Sequence, residues 1–374
     1  MANFTEVTTK GYFSRIIDAV KGVVLGIILF LGAFGVIYWN EGRVDVSQVA
    51  QTATKVTAES VDATADGKLI AVTGTVSSTE KLGDGIFLKP ADYLAVSRNV
   101  EMYSWIEKSE SKSDTNMGGS ETTTTTYSYS TDWTSAPESS SQFKDSVGHT
   151  NPEMTIKGDV YHVNSAKVGA YEVDMSKLVL PGYKKLELKK EDLNLEKGIF
   201  ENGFIFVGKG TLVAPQVGDL RISYSALKNN LNGTAFGKLE NGKLVTFVDQ
   251  KTAESLYRLF DGTFDEAIKT MHSEYTTWLW IVRLIGFLMM WIGLSSLFGP
   301  ISVVLDVLPV LGGLSRGAIG LLTFIVSLVL SILAILVSML LHSLVAMVVV
   351  AVVGIIAFVV VLKIKGKKVT VVRA

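Results

Sequence analysis

Long stretches of hydrophobic residues stand out from the polar remainder of this chain of 374 residues. Residues 22–39 contain no charge and are just long enough to cross a hydrocarbon core of about 30 Å, at about 1.5 Å of helix rise per residue. Glu6 and Asp18 precede this stretch, and no clear A-x-A cleavage site follows it. These features favour an uncleaved signal anchor over a signal peptide that is removed.

Three further membrane helices are predicted towards the C-terminus. The hydrophobic stretch at 277–298 opens with two tryptophans, a residue type that favours the membrane interface. Residues 317–362 then hold 46 positions without a formal charge, too many for one span and about enough for two. We place these spans at 318–340 and 344–362, with a turn at Leu341-His342-Ser343.

The polar region between the first and second helices is predicted to be β-rich. Residues 100–107 and 123–133 are rich in Thr, Tyr and Trp, and residues 220–225 alternate hydrophobic with polar positions. Both patterns are typical of strands. The polar residues 108–121 are predicted to form an exposed loop between the two aromatic strands.

The same region also contains sequence signals for hairpin turns and, near its end, a change from strand-like to helix-like hydrophobic spacing. Three Asn-Gly pairs suit type I′ hairpin turns, which need a positive φ at both central residues: Asn202-Gly203, Asn232-Gly233 and Asn241-Gly242. Hydrophobic residues at 253–260 and 264–271 have helical spacing, broken at Asp261-Gly262. We expect these two amphipathic helices to lie on the membrane surface.

The charges are distributed unevenly. Residues 41–275 carry 25 basic and 33 acidic residues, whereas the remainder carries 10 basic and 3 acidic residues. Three basic residues precede the first helix and five follow the last, so the positive-inside rule predicts that both termini are cytoplasmic. Single cysteines at Ser120 and Thr370 are therefore predicted to label from opposite sides of the membrane.

Between the second and third spans, residues 299–316 are hydrophobic but contain Pro300 and Pro309, which oppose one continuous helix. We expect a short cytoplasmic segment that is interfacial or re-entrant. Its single acid, Asp306, is either a surface carboxylate at headgroup level or a buried partner in a polar site.

The predicted organisation is, in chain order, a cytoplasmic tail (1–21), a transmembrane helix (22–39), a β-rich extracytoplasmic domain ending in amphipathic helices (40–276), a second transmembrane helix (277–298), the cytoplasmic segment (299–316), two further transmembrane helices (318–340 and 344–362) and a basic cytoplasmic tail (363–374).

The composition and motifs give little indication of catalytic or metal-binding chemistry. A mean hydropathy of +0.34 is too high for an ordinary soluble enzyme of this size, and the lack of cysteine excludes disulfides, thiolate zinc sites and a cysteine nucleophile. No two of the four histidines stand at i, i+4, and no phosphate-binding loop occurs. Asp145, Ser146 and His149 have the residue types of a hydrolase triad, but in one polar turn without a nucleophile elbow. We predict no catalytic residue, metal or cofactor.

The two aromatic strands hold the strongest candidates for an interaction site. Tyr103 and Trp105 share one face of the first strand, and Tyr127, Tyr129 and Trp133 share one face of the second. Paired as a hairpin, these side chains would form a cross-strand cluster. The cluster is either a ladder in the core or a face that contacts another protein, and the polar opposite side allows edge-to-edge association of copies.

Two features fall within the predicted spans. Arg283 either extends its guanidinium to the outer interface or pairs within the helix bundle. Gly22-x-x-x-Gly26 in the first helix permits close contact with another helix.

Several sequence blocks resemble one known family. NEGR (40–43), VEMYSWIE (100–107), TYSYSTDW (126–133), GHTNP (148–152) and VGDLRISYS (217–225) are similar to transmembrane protein 43, also called LUMA, in order and spacing. The resemblance spans nearly the whole chain and includes the FDGTF turn before the second span, Arg283 within it, and Asp306 with Pro309 after it.

The resemblance implies four membrane helices, with a large domain between the first and second that faces the lumen or the exterior. Animal members of the family reside in the inner nuclear membrane and endoplasmic reticulum, self-associate, and bind emerin and lamins; enzymatic activity is not established for them. The threonine run at 122–126 and the absence of cysteine depart from those members. They suggest a bacterial protein, to which lamin partners would not apply.

The sequence thus predicts an α+β membrane protein with one N-terminal and three C-terminal transmembrane helices around a β-rich extracytoplasmic domain. We expect a multi-pass, non-enzymatic scaffold that self-associates and organises a membrane patch or recruits partners. Expected partners are further copies, membrane lipids and other membrane or extracytoplasmic proteins, and not nucleic acid. The alternatives are a channel or transport component and a partner-dependent membrane adaptor.

Overall fold

A computed structural model describes residues 4–307 and 309–342. The helices of this part of the chain are α1 (Tyr12–Glu41), α2 (Val46–Gln51), α3 (Phe264–Leu297), α4 (Gly299–Leu305) and α5 (Pro309–His342). The strands are β1 (Phe4–Lys10), β2 (Thr54–Val56), β3 (Leu69–Ser77), β4 (Tyr93–Thr115), β5 (Glu121–Thr134), β6 (Asp159–His162), β7 (Ser165–Val168), β8 (Tyr171–Asp174), β9 (Lys184–Lys185), β10 (Ile199–Glu201), β11 (Phe204–Val207), β12 (Leu220–Lys228), β13 (Leu231–Glu240), β14 (Lys243–Val245), β15 (Phe247–Val248), β16 (Ser255–Leu256) and β17 (Arg258–Asp261).

These elements form two compact units. The β unit contains residues 4–8, 45–112 and 123–274, and the helical unit contains residues 9–44, 113–122 and 275–342. Three long helices, α1, α3 and α5, have the length and hydrophobicity needed to cross a membrane. The prediction of an α+β protein with long apolar helices before and after a β-rich region is confirmed. The proposed fourth span at 344–362, the tail at 363–374 and Thr370 lie outside the described residues.

An eight-stranded sheet contains the predicted aromatic strands. Its order is β1-β5-β4-β12-β11-β10, with β6 also paired to β4 and β9 to β12. The alternation at 220–225 places Leu220, Ile222 and Tyr224 on the buried face, opposite Met102 and Val100 of β4. The strands predicted at 100–107, 123–133 and 220–225 are thus confirmed.

A second sheet, of seven strands, has the order β17-β13-β14-β8-β7-β3-β2. An additional pairing of β13 with β3 closes five of these strands into a small barrel. Its hydrophobic core is made of side chains with almost no solvent exposure, including Ile70, Val72, Tyr171, Val173 and Leu239.

Two of the three predicted Asn-Gly turns are confirmed. Asn202 and Gly203 join β10 to β11, and Asn241 and Gly242 join β13 to β14, with φ between 49° and 80° at all four residues. The prediction for Asn232-Gly233 is wrong, because both residues lie inside β13. The turn before β13 instead contains Asn230, whose φ is 60°.

Gly233 has a steric role within the sheet. A Cβ at this position would lie 2.5 Å from the carbonyl oxygen of Phe260 on the neighbouring strand β17. Glycine is therefore required here because the neighbouring strand lies too close for a side chain, which is a known reason for glycine within a strand.

The prediction of a first amphipathic helix at 253–260 is wrong. This segment forms β16 and β17, and β17 pairs with β13, so that Leu259 and Phe260 are both buried. The second predicted segment, at 264–271, is helical, since α3 begins at Phe264, two residues after Gly262 with its φ of +94°. It is continuous with the apolar part of α3, and its placement on the membrane surface stays a prediction. Tertiary pairing thus overrides a short helical spacing pattern.

The exposed loop predicted at 108–121 is also wrong in extent. β4 continues to Thr115 and β5 begins at Glu121, so only residues 116–120 remain as the hairpin tip. Polar side chains support the extended arms; for example, the hydroxyls of Ser111 and Thr125 lie 2.9 Å apart. The threonine-rich sequence favours strand conformation although it is not hydrophobic.

Candidate functional site

In the helical unit, α1 and α3 meet at a pair of glycines. A Cβ on Gly26 would lie 2.8 Å from the carbonyl oxygen of Gly293, and a Cβ on Gly293 would lie 2.6 Å from the backbone nitrogen of Phe30. The two helix backbones are therefore in direct contact, as small residues allow in membrane helices. Gly22, the other glycine of the predicted motif, has no neighbouring atom within 4 Å of its Cβ position.

Arg283 adopts the second arrangement considered from the sequence, a pair within the bundle. Its Nε and Nη2 atoms donate to the two carboxylate oxygens of Glu41 at 2.8 and 2.7 Å. The guanidinium also lies 4.7 Å from the ring centre of Trp280. Because the Glu41 side chain is only 3% exposed, this bidentate pair links the end of α1 to α3 with little access to water.

Asp306 likewise belongs to a buried polar site rather than to a free surface. Its carboxylate has no solvent exposure and accepts a hydrogen bond of 2.5 Å from Nη2 of Arg15. Arg15 also contacts Glu121 at 3.1 Å and donates to the carbonyl oxygen of Gly119 at 2.6 Å. Arg316 lies 3.5 Å from the other Asp306 oxygen. We call Arg15, Glu121, Asp306 and Arg316 the Arg15 cluster.

The Arg15 cluster joins three separate parts of the helical unit. Arg15 comes from the first turn of α1, Glu121 from the start of β5, and Asp306 directly follows α4. With two arginines and two carboxylates, the four formal charges cancel. Each charge has an opposite charge as its neighbour, and this geometry is that of a structural ion-pair network that holds the three parts together.

In the β unit, Tyr129 is the centre of the aromatic group. Its side chain is almost fully buried, its hydroxyl donates to Glu107 at 2.6 Å, and it accepts from the backbone nitrogen of Asp145 at 2.8 Å. Its ring stacks on His149 with 3.9 Å between centroids. Burial and the hydrogen bond to the Glu107 carboxylate both raise the pKa of the Tyr129 hydroxyl.

The other four aromatic candidates also contact groups of the same chain. Tyr103 packs on Trp133 at 5.3 Å between ring centroids, and Trp105 packs on His149 at 4.7 Å. Tyr127 lies 6.0 Å from the ring of Phe4 in β1. These contacts are those expected of a core ladder. A contact face for another protein stays a prediction for the exposed parts of these rings.

His149 packs between the rings of Trp105 and Tyr129. Its Nδ1 lies 3.0 Å from the backbone carbonyl oxygen of Asp145, so the imidazole pairs with the main chain rather than with a carboxylate. Within residues 4–307 and 309–342, no group of three His, Asp or Glu side chains is arranged to hold a metal ion.

The sequence reasoning missed a buried polar network around Asp84. One carboxylate oxygen accepts from the backbone nitrogens of residues 86–88, and the other accepts from Arg98 at 2.8 Å and from the Tyr224 hydroxyl at 2.5 Å. Burial alone would raise the pKa of Asp84, but the hydrogen bonds from Tyr224 and Arg98 outweigh it and lower that pKa. Burial and the nearby carboxylate raise the pKa of Tyr224.

A signal for this network was present in β4. Arg98 occupies the same face as Leu94, Val96, Val100 and Met102, all of which are buried. A charge at a buried position of an alternating strand requires an opposite charge nearby. The sequence does not identify Asp84 as that partner, because the intervening loop has no regular period.

A groove of about 1140 Å³ lies beside this network in the β unit and includes Arg98, Glu101 and Pro152. Asn151 fixes its wall: the side-chain oxygen accepts from the Trp105 nitrogen at 2.7 Å, and the side-chain amide donates to the carbonyl oxygens of Trp105 and Glu138. The GHTNP block therefore positions a loop against β4. The groove walls carry charges of both signs.

Comparison with known proteins agrees with the sequence blocks. The family model of transmembrane protein 43 matches residues 102–344. Transmembrane protein 43 of Homo sapiens is 27% identical over 328 residues, covering 80% of this chain and 79% of the human protein. The Rattus norvegicus protein is 25% identical, with the same coverage, and the Drosophila melanogaster homolog is 25% identical over 73% of this chain and 75% of its own length. No solved structure matches the chain. Three of the helices within the described residues are long and apolar enough to cross a bilayer, and this integral membrane protein belongs to the transmembrane protein 43 family.

Proposed function

We propose that the protein is a non-enzymatic membrane scaffold that self-associates through its β unit. In this proposal the helices anchor the chain among membrane lipids, and the assembled β units organise a membrane patch or recruit other membrane or extracytoplasmic proteins. The proposal keeps the extracytoplasmic placement that the sequence predicts for residues 40–276, and it adds β1, which pairs with β5, to the same side.

The observation that supports self-association most directly is the open edge of the eight-stranded sheet at β1. The sheet ends there, and among the described strands only β5 is adjacent to β1. Six of the seven β1 residues are exposed, including Val7 at 62%. An edge of unpaired N–H and C=O groups can accept a strand from another molecule.

The nature of the β1 edge favours a second copy as its occupant. Natural sheets blunt free edges with lysine, proline or a bulge. The stretch FTEVTT has no lysine or proline before Lys10 and carries exposed hydrophobic side chains at Phe4 and Val7. Antiparallel pairing of two such edges would bury these side chains across a twofold axis, which is the commonest symmetry of homo-oligomers.

The non-enzymatic part of the proposal draws support from how ionisable side chains are used. Asp306, Asp84 and His149 each make contacts that fix neighbouring segments, through an ion pair, a hydrogen-bond network and ring stacking respectively. Family membership agrees with this, since the family is generally not catalytic.

The test is Val7→Lys, which places a charge in the middle of the free edge. We expect the particle mass in native-like lipid discs, measured by light scattering, to fall towards that of one chain. The matched control is Val147→Lys, which introduces the same charge at a position 84% exposed and outside any strand. An unchanged mass for Val7→Lys, with normal folding by circular dichroism, would exclude β1 as the contact edge.

A further inference from the structure

The groove beside β4 lies where this strand changes partners along one of its edges. On that edge β6 pairs with residues 95–98 of β4, and β5, which pairs with the part of β4 nearer the hairpin tip, ends at Thr134. The middle of β4 therefore lies in a gap between two strands. The groove in this gap, which we call the β4 groove, is lined by residues 97–101, 135, 137–139, 151–154 and 157–160.

The sides of the β4 groove are held in place by contacts within the β unit. The side-chain amide of Asn151 donates to the carbonyl oxygen of Glu138 at 3.0 Å, and its backbone nitrogen donates to the Ser140 hydroxyl at 2.6 Å. Pro152 packs closely on Gly218, since a Cβ at this glycine would lie 2.8 Å from the proline ring. Because the groove is already formed, a partner loses less free energy in ordering it.

Two of the charges at the groove are already neutralised. Arg98 forms its ion pair with Asp84 at 2.8 Å. Glu101 accepts two hydrogen bonds from Arg221, at 2.7 and 3.0 Å. Neither Arg98 nor Glu101 therefore attracts a charged partner strongly, because an opposite charge in contact cancels most of its field.

The charges that remain in the β4 groove are mainly negative. Three exposed carboxylates line it, those of Glu138, Glu153 and Asp159. Lys157 is the single lysine of the lining. Within the part of the chain that the structure describes, none of these four side chains forms a salt bridge. Three carboxylates and one lysine leave two negative charges in excess, which favours a partner with positive charges.

Hydrophobic side chains of the groove are more buried than these carboxylates. Pro137 and Met154 are half-buried, and Met154 packs against the core around Val100. Val160 of β6 is 51% exposed. An extended segment presents alternate side chains to opposite faces. A segment with alternating hydrophobic and basic residues would thus place its hydrophobic face on Met154 and Val160 and its cations beside the exposed carboxylates.

We propose that the β4 groove binds an extended segment of a partner protein in which hydrophobic and basic residues alternate. Its volume of about 1140 Å³ exceeds the range of about 300–1,000 Å³ that is typical of pockets for small molecules, which favours a polypeptide as the occupant. Docking of an extended segment beside a strand is a recurring mode of peptide recognition. This inference rests on the recruiting part of the proposed function, whose partner chemistry it specifies, and not on self-association at β1.

The test uses the full chain in lipid discs of phosphatidylcholine, which has no net charge to attract a cationic peptide. The probe is a fluorescent nonapeptide of alternating valine and lysine, and the matched control peptide alternates valine and glutamate. We expect fluorescence anisotropy to show saturable binding of the lysine peptide to the protein, no binding of the glutamate peptide, and no binding of either peptide to empty discs.

The first groove variant removes two of the carboxylates, by Glu138→Gln together with Glu153→Gln. Its matched control is Glu59→Gln together with Glu196→Gln, which removes two exposed carboxylates outside the groove. We expect the Kd of the lysine peptide to rise about tenfold for the groove variant, the effect of losing two exposed ion pairs. The Kd of the control variant should equal that of the unchanged protein.

The second groove variant, Val160→Trp, fills the groove without changing its charge. Its control is Val179→Trp, because both valines are 51% exposed and Val179 lies outside the groove. We expect weaker binding for Val160→Trp alone. No binding to the unchanged protein, or a Kd that changes equally in a groove variant and its control, would overturn the proposal. The particle mass of the same variants reports self-association separately.

Discussion

The contact between α1 and α3 at Gly26 can be tested by adding one methyl group. Gly22 and Gly26 lie one turn apart in the same helix, so replacing either glycine by alanine should give the same gain in helix propensity. Their surroundings differ: the Cβ position of Gly26 is 2.8 Å from Gly293 and from the Ser296 side chain, whereas that of Gly22 is open. Gly22→Ala is therefore a matched control for Gly26→Ala.

The expected magnitudes follow from these distances. Replacing glycine by alanine inside a helix contributes up to about 1 kcal/mol of stability. At Gly26 the methyl group must move from 2.8 Å to an ordinary contact of at least 3.4 Å, against backbone that cannot rotate away. Overpacking of this kind costs about 1–3 kcal/mol. Because the helix-propensity gain is common to both variants, Gly26→Ala should be about 1–3 kcal/mol less stable than Gly22→Ala.

The measurement is unfolding in mixed micelles with an increasing fraction of denaturing detergent, followed by tryptophan fluorescence. We expect the midpoint of Gly22→Ala to equal or exceed that of the unchanged protein, and the midpoint of Gly26→Ala to fall below it. Equal midpoints for the two variants would refute the close approach of α1 and α3 at this position.

Three further outcomes follow from the buried charges. Asp84→Asn leaves Arg98 without its buried counter-charge, so we expect a loss of about 3–5 kcal/mol in unfolding free energy, whereas Asp92→Asn, at an exposed pair with Lys81, should cost less than about 1 kcal/mol. The pKa of Asp84 is lowered in the folded state, so its contribution to the unfolding free energy is present above its unfolded pKa of about 3.9 and is lost as the pH falls through the lower folded value. When the unfolding midpoint is measured at decreasing pH, it should therefore fall less steeply for Asp84→Asn than for the unchanged protein. In the helical unit, Glu41→Gln and Arg283→Gln should each be strongly destabilising, with a double variant much less destabilised than the sum, and additive effects in that cycle would contradict the buried pair.

Hydrophobic patterns that repeat over many consecutive residues predicted the corresponding helices and strands well. The apolar stretches at 22–39 and 318–340 lie within α1 and α5, and that at 277–297 within α3. The alternation in β12 identified its buried face, because one-sided burial of a sheet imposes a regular period. The Asn-Gly turns at 202 and 241 were identified because the turn type itself requires those residues.

Features fixed by tertiary contacts were not predictable in the same way. The spacing at 253–260 suits a helix, yet pairing with β13 makes it strand. Gly233 is required by the backbone of Phe260 and not by a turn. The Arg15 cluster joins residues almost 300 positions apart, and one of its acids, Glu121, falls in the segment that the sequence predicted to be an exposed loop. For Asp306 and Arg283 the sequence left two arrangements open, and the structure has the buried pair in both cases.

The central claim, that this membrane protein is a self-associating scaffold, is tested most directly by the particle mass of the unchanged chain in native-like lipid discs. A single chain has a mass of 40.5 kDa. We predict a protein mass, after subtraction of lipid, that is a fixed integral multiple of this value and at least twice as large, and that persists on dilution. A protein mass of one chain at all concentrations would contradict the scaffold account.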